Sequence, residues 1–138
     1  MKRLTSLADA ARFHGHLGPW LVLGLRAGRH AADKLKVKPF ELQARVFCPS
    51  GTPYTCLLDG VQLGSGCTMG KGNIRHIRSR RVRIVFQRQA RPGSLLLELR
   101  PEVWTELHLC ATRHRVAAIA HSLFRRPFPA LFLERPGT

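Results

Sequence analysis

Two short polar segments contain the side chains that could do chemistry, and the first is FHGHLGP (13–19). Residues two apart do not share a face of a regular helix, so His14 and His16 can converge only if Gly15 breaks the helix. Both histidines precede a helix start, where unpaired backbone N–H groups favour an anion or a thiolate. One structural histidine beside one exposed histidine is the simpler alternative for this pair.

The second segment, CLLDGVQLGSGCTMGKGN (56–73), contains two cysteines, one carboxylate and one lysine. Asp59 follows Cys56 by three residues, so the two side chains would share a helix face. Thiolate, imidazole and carboxylate groups together suit zinc, and three protein ligands with one open position would make a catalytic type of site. Because the spacing contains neither CxxC nor HxxxH, buried inert cysteines remain the alternative.

The glycine-rich stretch 64–72 has the composition of a phosphate-binding loop but not its spacing. Its glycines do not form GxGxxG, and Ser65 and Gly72 replace residues that a Walker A loop requires. A tight loop that delivers Cys67 and Lys71 into a cleft is the better interpretation.

The formal charge of +15 favours anionic partners such as nucleic acid, phosphates or an acidic protein surface. Arginines concentrate between 75 and 91, where Arg81 and Arg83 alternate with apolar residues and predict a basic sheet face. Phe86 is the only aromatic residue of that stretch, so nucleic acid stays open as a partner but is not favoured. A solvated face or an acidic partner fits the pattern better.

The length of 138 residues, 44% of them hydrophobic, predicts one domain over 1–138 with one core. The basic N-terminus leads into no apolar run long enough for a signal peptide or a membrane span, so we expect a cytoplasmic protein. In that compartment Cys48, Cys56, Cys67 and Cys110 would be reduced thiols or metal ligands rather than disulfides.

The elements that must position these residues are predicted from periodicity and breakers. A short helix over 6–12 ends near Gly15, and Pro19 opens a second helix that runs to about Leu35. Small residues on the second helix favour close packing, within the chain or across a dimer. A strand over 41–47, a helix at 56–64 and antiparallel strands at 74–77, 81–87 and 94–99 follow.

The C-terminal third predicts one long helix over 102–124, ended by Pro127, and an extended tail over 127–138. The fold class is therefore α+β, with N-terminal helices and a long C-terminal helix packed on a mainly antiparallel sheet. The core of the domain would cover about 6–125.

FHGHLGPWLVLGLRAG, followed about 40 residues later by CLLDGVQLGSGCTMGKGNI, resembles the FmdE family of formylmethanofuran dehydrogenase subunits. Members contain FHGH-x-C-P-G and C-x-x-D-A-(I/V)-Q-x-x-x-G-C-T-x-G-K-G-N, and the order and separation agree over about 6–125. The resemblance implies an α+β domain, a homodimer, and a cleft that holds zinc or another transition metal. The zinc ribbon of some members is missing, because this chain has no CxxC pair.

Residue by residue, the resemblance implies a site of seven side chains. The metal ligands would be His16, Cys56 and Cys67; His14, Asp59 and Cys67 would be the catalytic groups; Lys71 and Gln62 would bind a cofactor or small anionic ligand. The chain departs from the family at Gly18, which replaces the cysteine before the proline, and at Trp20, which replaces a glycine.

The function expected from the resemblance is that of a metal-binding accessory protein linked to one-carbon (formyl-transfer) or molybdenum/tungsten-enzyme metabolism, with that enzyme as its partner. No pterin or iron–sulfur pattern is present, so the chain is not the dehydrogenase itself. The alternatives are a small thiol- or metal-dependent enzyme acting on an anionic substrate, with Cys67 as nucleophile, or a basic scaffold for nucleic acid or an acidic protein.

Overall fold

Five helices and five strands make up the regular structure in the computed structural model, which describes residues 6–109 and 113–137. The helices are α1 (Leu7–His14), α2 (Pro19–Leu35), α3 (Cys56–Ser65), α4 (Pro101–Leu109) and α5 (Arg113–Arg125). The strands are β1 (Leu42–Cys48), β2 (Ile74–Arg78), β3 (Arg83–Arg88), β4 (Ser94–Leu99) and β5 (Phe132–Pro136). This mixture confirms the predicted α+β class.

The five strands form one sheet in the order β2-β1-β3-β4-β5. The pairs β1–β3, β3–β4 and β4–β5 are antiparallel, as predicted for most of the sheet. The expectation that 74–77 is an antiparallel strand is wrong, because β2 runs parallel to β1. The reason is α3, a helical crossover that returns the chain to the end of the sheet where β1 began.

One face of the sheet carries the hydrophobic core. Alternate residues of β1, β3 and β4 are buried, and those between them are partly exposed. The buried side chains pack against α2 and α3 in one cluster, which includes Phe86, Phe132 and Leu23.

Four glycines allow α2 and α3 to cross with their backbones in contact. A Cβ added at Gly24 or Gly60 would lie far inside van der Waals distance of a carbonyl oxygen on the other helix, and Gly28 and Gly64 are similarly close to it. The small-residue face of α2 therefore packs within the chain, which was one of the two predicted alternatives. This crossing holds α3, and with it Cys56, against α2.

The C-terminal region differs in detail from the prediction. Helices α4 and α5 occupy the predicted long helix, and residues 110–112 between them, including Cys110, lie outside the described residues, so one continuous helix is not confirmed. The tail returns to the sheet as β5 and pairs with β4. Among the described helices, none has the combined length and apolar composition that a bilayer crossing requires.

Candidate functional site

The turn after α1 places the two histidines of the first segment side by side. Gly15 ends α1 with a φ of 107°, in the left-handed region, and its N–H donates to Ala11 O. The break occurs at the residue that the sequence indicates, and it brings the rings of His14 and His16 to a centroid distance of 4.9 Å.

His14 pairs with the carboxylate of the second segment. Its Nδ1 lies 2.6 Å from Asp59 Oδ2, and only 12% of its side chain is exposed. With Nδ1 donating to the carboxylate, Nε2 carries the lone pair of the neutral ring. The arrangement can therefore accept a proton or coordinate a metal ion at Nε2.

These side chains open into a cavity of about 270 Å³. His14, His16 and Cys56 form its polar end, at the meeting point of α1, α2 and α3. The remaining wall is apolar and comes from α2, α4 and α5; it includes Leu21, Leu107 and Ile119. Sequence reasoning did not identify the contribution of α4 and α5, because nothing local in those helices indicates which element they face.

Cys56 is a thiol rather than a thiolate at neutral pH. Burial raises its pKa, the nearby negative charge of Asp59 raises it further, and a backbone hydrogen bond at the start of α3 opposes both effects. A metal ion would have to displace the thiol proton, so binding there would release a proton.

Cys67 lies away from this group. It follows the end of α3, whereas Cys56 begins it, and a helix of ten residues is about 15 Å long. Its side chain is fully buried, with Sγ 3.5 Å from Leu42 O. Burial raises the pKa of the thiol despite the opposing effects of Ser65 and Lys71.

The loop after α3 is organised by its own hydrogen bonds. Gln62 Oε1 accepts from Met69 N–H at 2.9 Å, and Lys71 Nζ lies 3.1 Å from Thr68 Oγ1. Neither Gln62 nor Lys71 lines the cavity. Buried Asn73, which sequence reasoning did not include, accepts from Thr68 N–H and donates to Pro39 O and Leu42 O.

The described part of the chain contains no three His, Cys, Asp or Glu side chains placed close enough to hold one metal ion. Gly18 also lines the cavity, and a Cβ added there would be 3.0 Å from His16 Cε1. The position at which the family motif has its cysteine therefore points at the two histidines.

Comparison with known proteins extends this description. A family model described as "FmdE, Molybdenum formylmethanofuran dehydrogenase operon" matches residues 13–120. A probable S-adenosyl-L-methionine-binding protein of Archaeoglobus fulgidus is 35% identical over 78 residues, which are 51% of this chain and 20% of that protein. The chain thus spans about a fifth of the length of this curated relative.

An FmdE-like protein of tungsten formylmethanofuran dehydrogenase from Syntrophus aciditrophicus has a similar crystal structure, with a TM-score of 0.62. The alignment covers 95% of this chain and 69% of that one, at 20% identity. At this identity, the likeness establishes the fold.

Proposed function

The chain belongs to the FmdE family, and from this premise we propose that it is a metal-binding accessory protein of a molybdenum- or tungsten-dependent enzyme of one-carbon metabolism. The observation that carries the proposal is the His14–Asp59 pair, which opens with His16 and Cys56 into one cavity. The family's link to the dehydrogenase operon supports the choice of partner enzyme.

The donor set of the cavity fits a transition metal such as zinc. His14 and His16 offer imidazole nitrogens and Cys56 offers sulfur, a combination that zinc prefers. Asp59 would act as carboxylates usually do behind a ligating imidazole, fixing the tautomer and the ring orientation. His16 is exposed, so its ring can turn towards the other two donors, as binding requires.

A bound zinc ion would supply Lewis acidity and lower the pKa of a bound water. Within this chain, Asp59 holds the proton of His14 on Nδ1. The apolar wall from α2, α4 and α5 limits access of water to the polar end. Because Cys67 lies at the far end of α3, the proposal assigns the sulfur ligand to Cys56 alone.

Elemental analysis of protein purified without a histidine tag tests the proposal. We expect near-stoichiometric zinc or another transition metal in the wild type, and a loss of about tenfold or more in affinity for His16→Ala and Cys56→Ser. The matched control is Cys67→Ser, which removes the other candidate thiol and should keep the metal.

Circular dichroism establishes that each variant is folded before its metal content is compared. Retention of metal in Cys56→Ser with loss in folded Cys67→Ser would contradict the assignment of the ligand. Absence of metal from the wild type after reconstitution under reducing conditions would reject the metal site altogether.

A thiol-dependent enzyme is less well supported. A nucleophilic cysteine needs a lowered pKa or an adjacent base, whereas the pKa values of Cys56 and Cys67 are both raised, first of all by burial. His14 contacts Asp59 through Nδ1 rather than either thiol.

A further inference from the structure

The side of the sheet that faces away from α2 and α3 is a surface of mixed apolar and basic side chains, here called the open sheet face. All of its side chains are partly or fully exposed. It consists of the alternate residues of the five strands: Gln43, Arg45, Phe47, Arg75, Ile77, Arg83, Val85, Gln87, Ser94, Leu96, Glu98, Leu133 and Arg135.

We propose that the open sheet face docks an acidic protein partner, one that presents apolar side chains surrounded by carboxylates. Apolar residues from all five strands lie next to unneutralised arginines on this face, and that juxtaposition defines the chemistry of the partner. The proposal is independent of the metal site, which lies among the helices on the other side of the sheet.

The apolar part of the face extends across the whole sheet. The strand register places Phe47 beside Ile77 and Val85 beside Leu96, and Leu133 lies on β5 beside Glu98. Five strands at about 4.8 Å spacing make a surface about 20 Å wide. A patch of this size on a monomer commonly marks an interaction site.

The charges on the face are mostly positive and incompletely paired. Four arginines stand against the single carboxylate of Glu98, which already contacts Arg81 at 2.8 Å and Arg135 at 3.8 Å. Arg45 and Arg75 are direct cross-strand neighbours, a like-charge arrangement that destabilises a sheet in isolation. In the described residues, neither of these two side chains has an ion-pair partner.

Arg83 adds an unsatisfied donor at the centre of the face. Its guanidinium lies over the Phe47 ring, 4.8 Å from the centroid, and its Nε is buried without a hydrogen-bond acceptor. A buried donor without a partner costs about 1–3 kcal/mol. A carboxylate of a docked protein could supply an acceptor for the guanidinium.

The same features argue against other occupants. A second copy would bring four more arginines against the same positive surface, which electrostatic complementarity disfavours. Single-stranded nucleic acid needs aromatic platforms for its bases, whereas Phe47 is the only aromatic ring of the face and Arg83 already covers it. An acidic protein surface satisfies both the charge and the aliphatic side chains.

Fluorescence anisotropy with defined probes tests the proposal on the full chain. The probe is a labelled peptide of about ten residues, the length of a long strand, in which glutamate alternates with valine or leucine. The two comparison probes, a glutamate-only peptide and a thymidine oligonucleotide, carry the same charge. We expect the alternating peptide to bind in the micromolar range and at least about tenfold more tightly than either comparison probe.

Charge-matched variants then locate the binding site. Arg45→Glu with Arg75→Glu should weaken binding of the alternating peptide about tenfold or more, and Val85→Ser with Leu96→Ser should reduce it to the level of the glutamate-only peptide. The control is Arg115→Glu with Arg125→Glu, which makes the same charge change at exposed positions of α5 and should weaken binding about threefold or less. If the glutamate substitutions unfold the protein, Arg45→Gln with Arg75→Gln replaces them.

Three results would overturn the proposal. Equal weakening by the β-strand pair and the α5 pair would mean unspecific attraction by net charge. Equal or tighter binding of the oligonucleotide would indicate a nucleic-acid surface. A dimer seen by sedimentation that Val85→Ser with Leu96→Ser dissociates would mean that a second copy covers the face.

Discussion

A single atom position at residue 18 controls how many donors the cavity can offer. Gly18 lines the cavity, and its absent Cβ would point at the ring of His16. Its φ of −134° is one that any L-residue adopts, so the backbone accepts a larger residue there. The two-nitrogen, one-sulfur set of this chain is therefore one side chain short of a closed site.

We expect Gly18→Cys to raise the affinity for zinc about tenfold or more, because it adds a thiol at a helix start where thiolates are stabilised. Competition with a chromophoric chelator at neutral pH measures the change. Gly70→Cys adds the same thiol in an exposed loop and should leave the affinity unchanged. An equal effect of both substitutions, or none from Gly18→Cys, would contradict the assigned direction of this position.

The residue types of the site were readable from the sequence, but their grouping was only partly so. The break at Gly15 follows from the spacing of His14 and His16. The contact between His14 and Asp59 spans 45 positions and depends on the packing of α1 beside α3, for which the sequence has no local pattern. Cys67 was grouped with Cys56 because both belong to one motif, although the length of α3 separates them.

The α2–α3 crossing is the element on which the site depends most. Gly60→Ala would push a methyl group into the backbone of α2 at Leu21, and neither helix can yield without separating. We expect a loss of about 3 kcal/mol or more in the free energy of unfolding, at the upper end for overpacking. Urea denaturation followed by circular dichroism measures it.

Gly70→Ala provides the matched control for that substitution. A Cβ at Gly70 would meet nothing within 4 Å, so its effect on stability should stay within about 0.5 kcal/mol. Similar losses in both variants would mean that the cost arises from glycine replacement in general and not from the crossing.

Local signals predicted most element boundaries. Pro19 marks the start of α2, and the alternation of apolar residues in β1, β3 and β4 identifies their buried face. The parallel pairing of β2 and the return of the tail as β5 were not readable, because strand order depends on contacts between distant segments. The short, charged β2 has only Ile74 buried and therefore carries little pattern.

At the scale of the whole molecule, the charge of +15 makes self-repulsion a general opponent of folding. We expect the melting temperature to rise as sodium chloride increases from about 10 to about 300 mM, since added ions screen exposed charges. The rise should be smaller for Arg115→Glu with Arg125→Glu, which lowers the positive charge. A melting temperature that falls with salt would mean that attractive ion pairs outweigh the repulsion.

The two outer strands of the sheet have a consequence for behaviour at high concentration. An unpaired strand edge is a template for aggregation, and lysine, arginine or proline at that edge blocks it. β2 exposes Arg75, His76 and Arg78, and β5 ends in Arg135 and Pro136. Sheet-to-sheet polymerisation is thereby opposed at both edges, which leaves the flat face of the sheet available for a partner in a crowded cell.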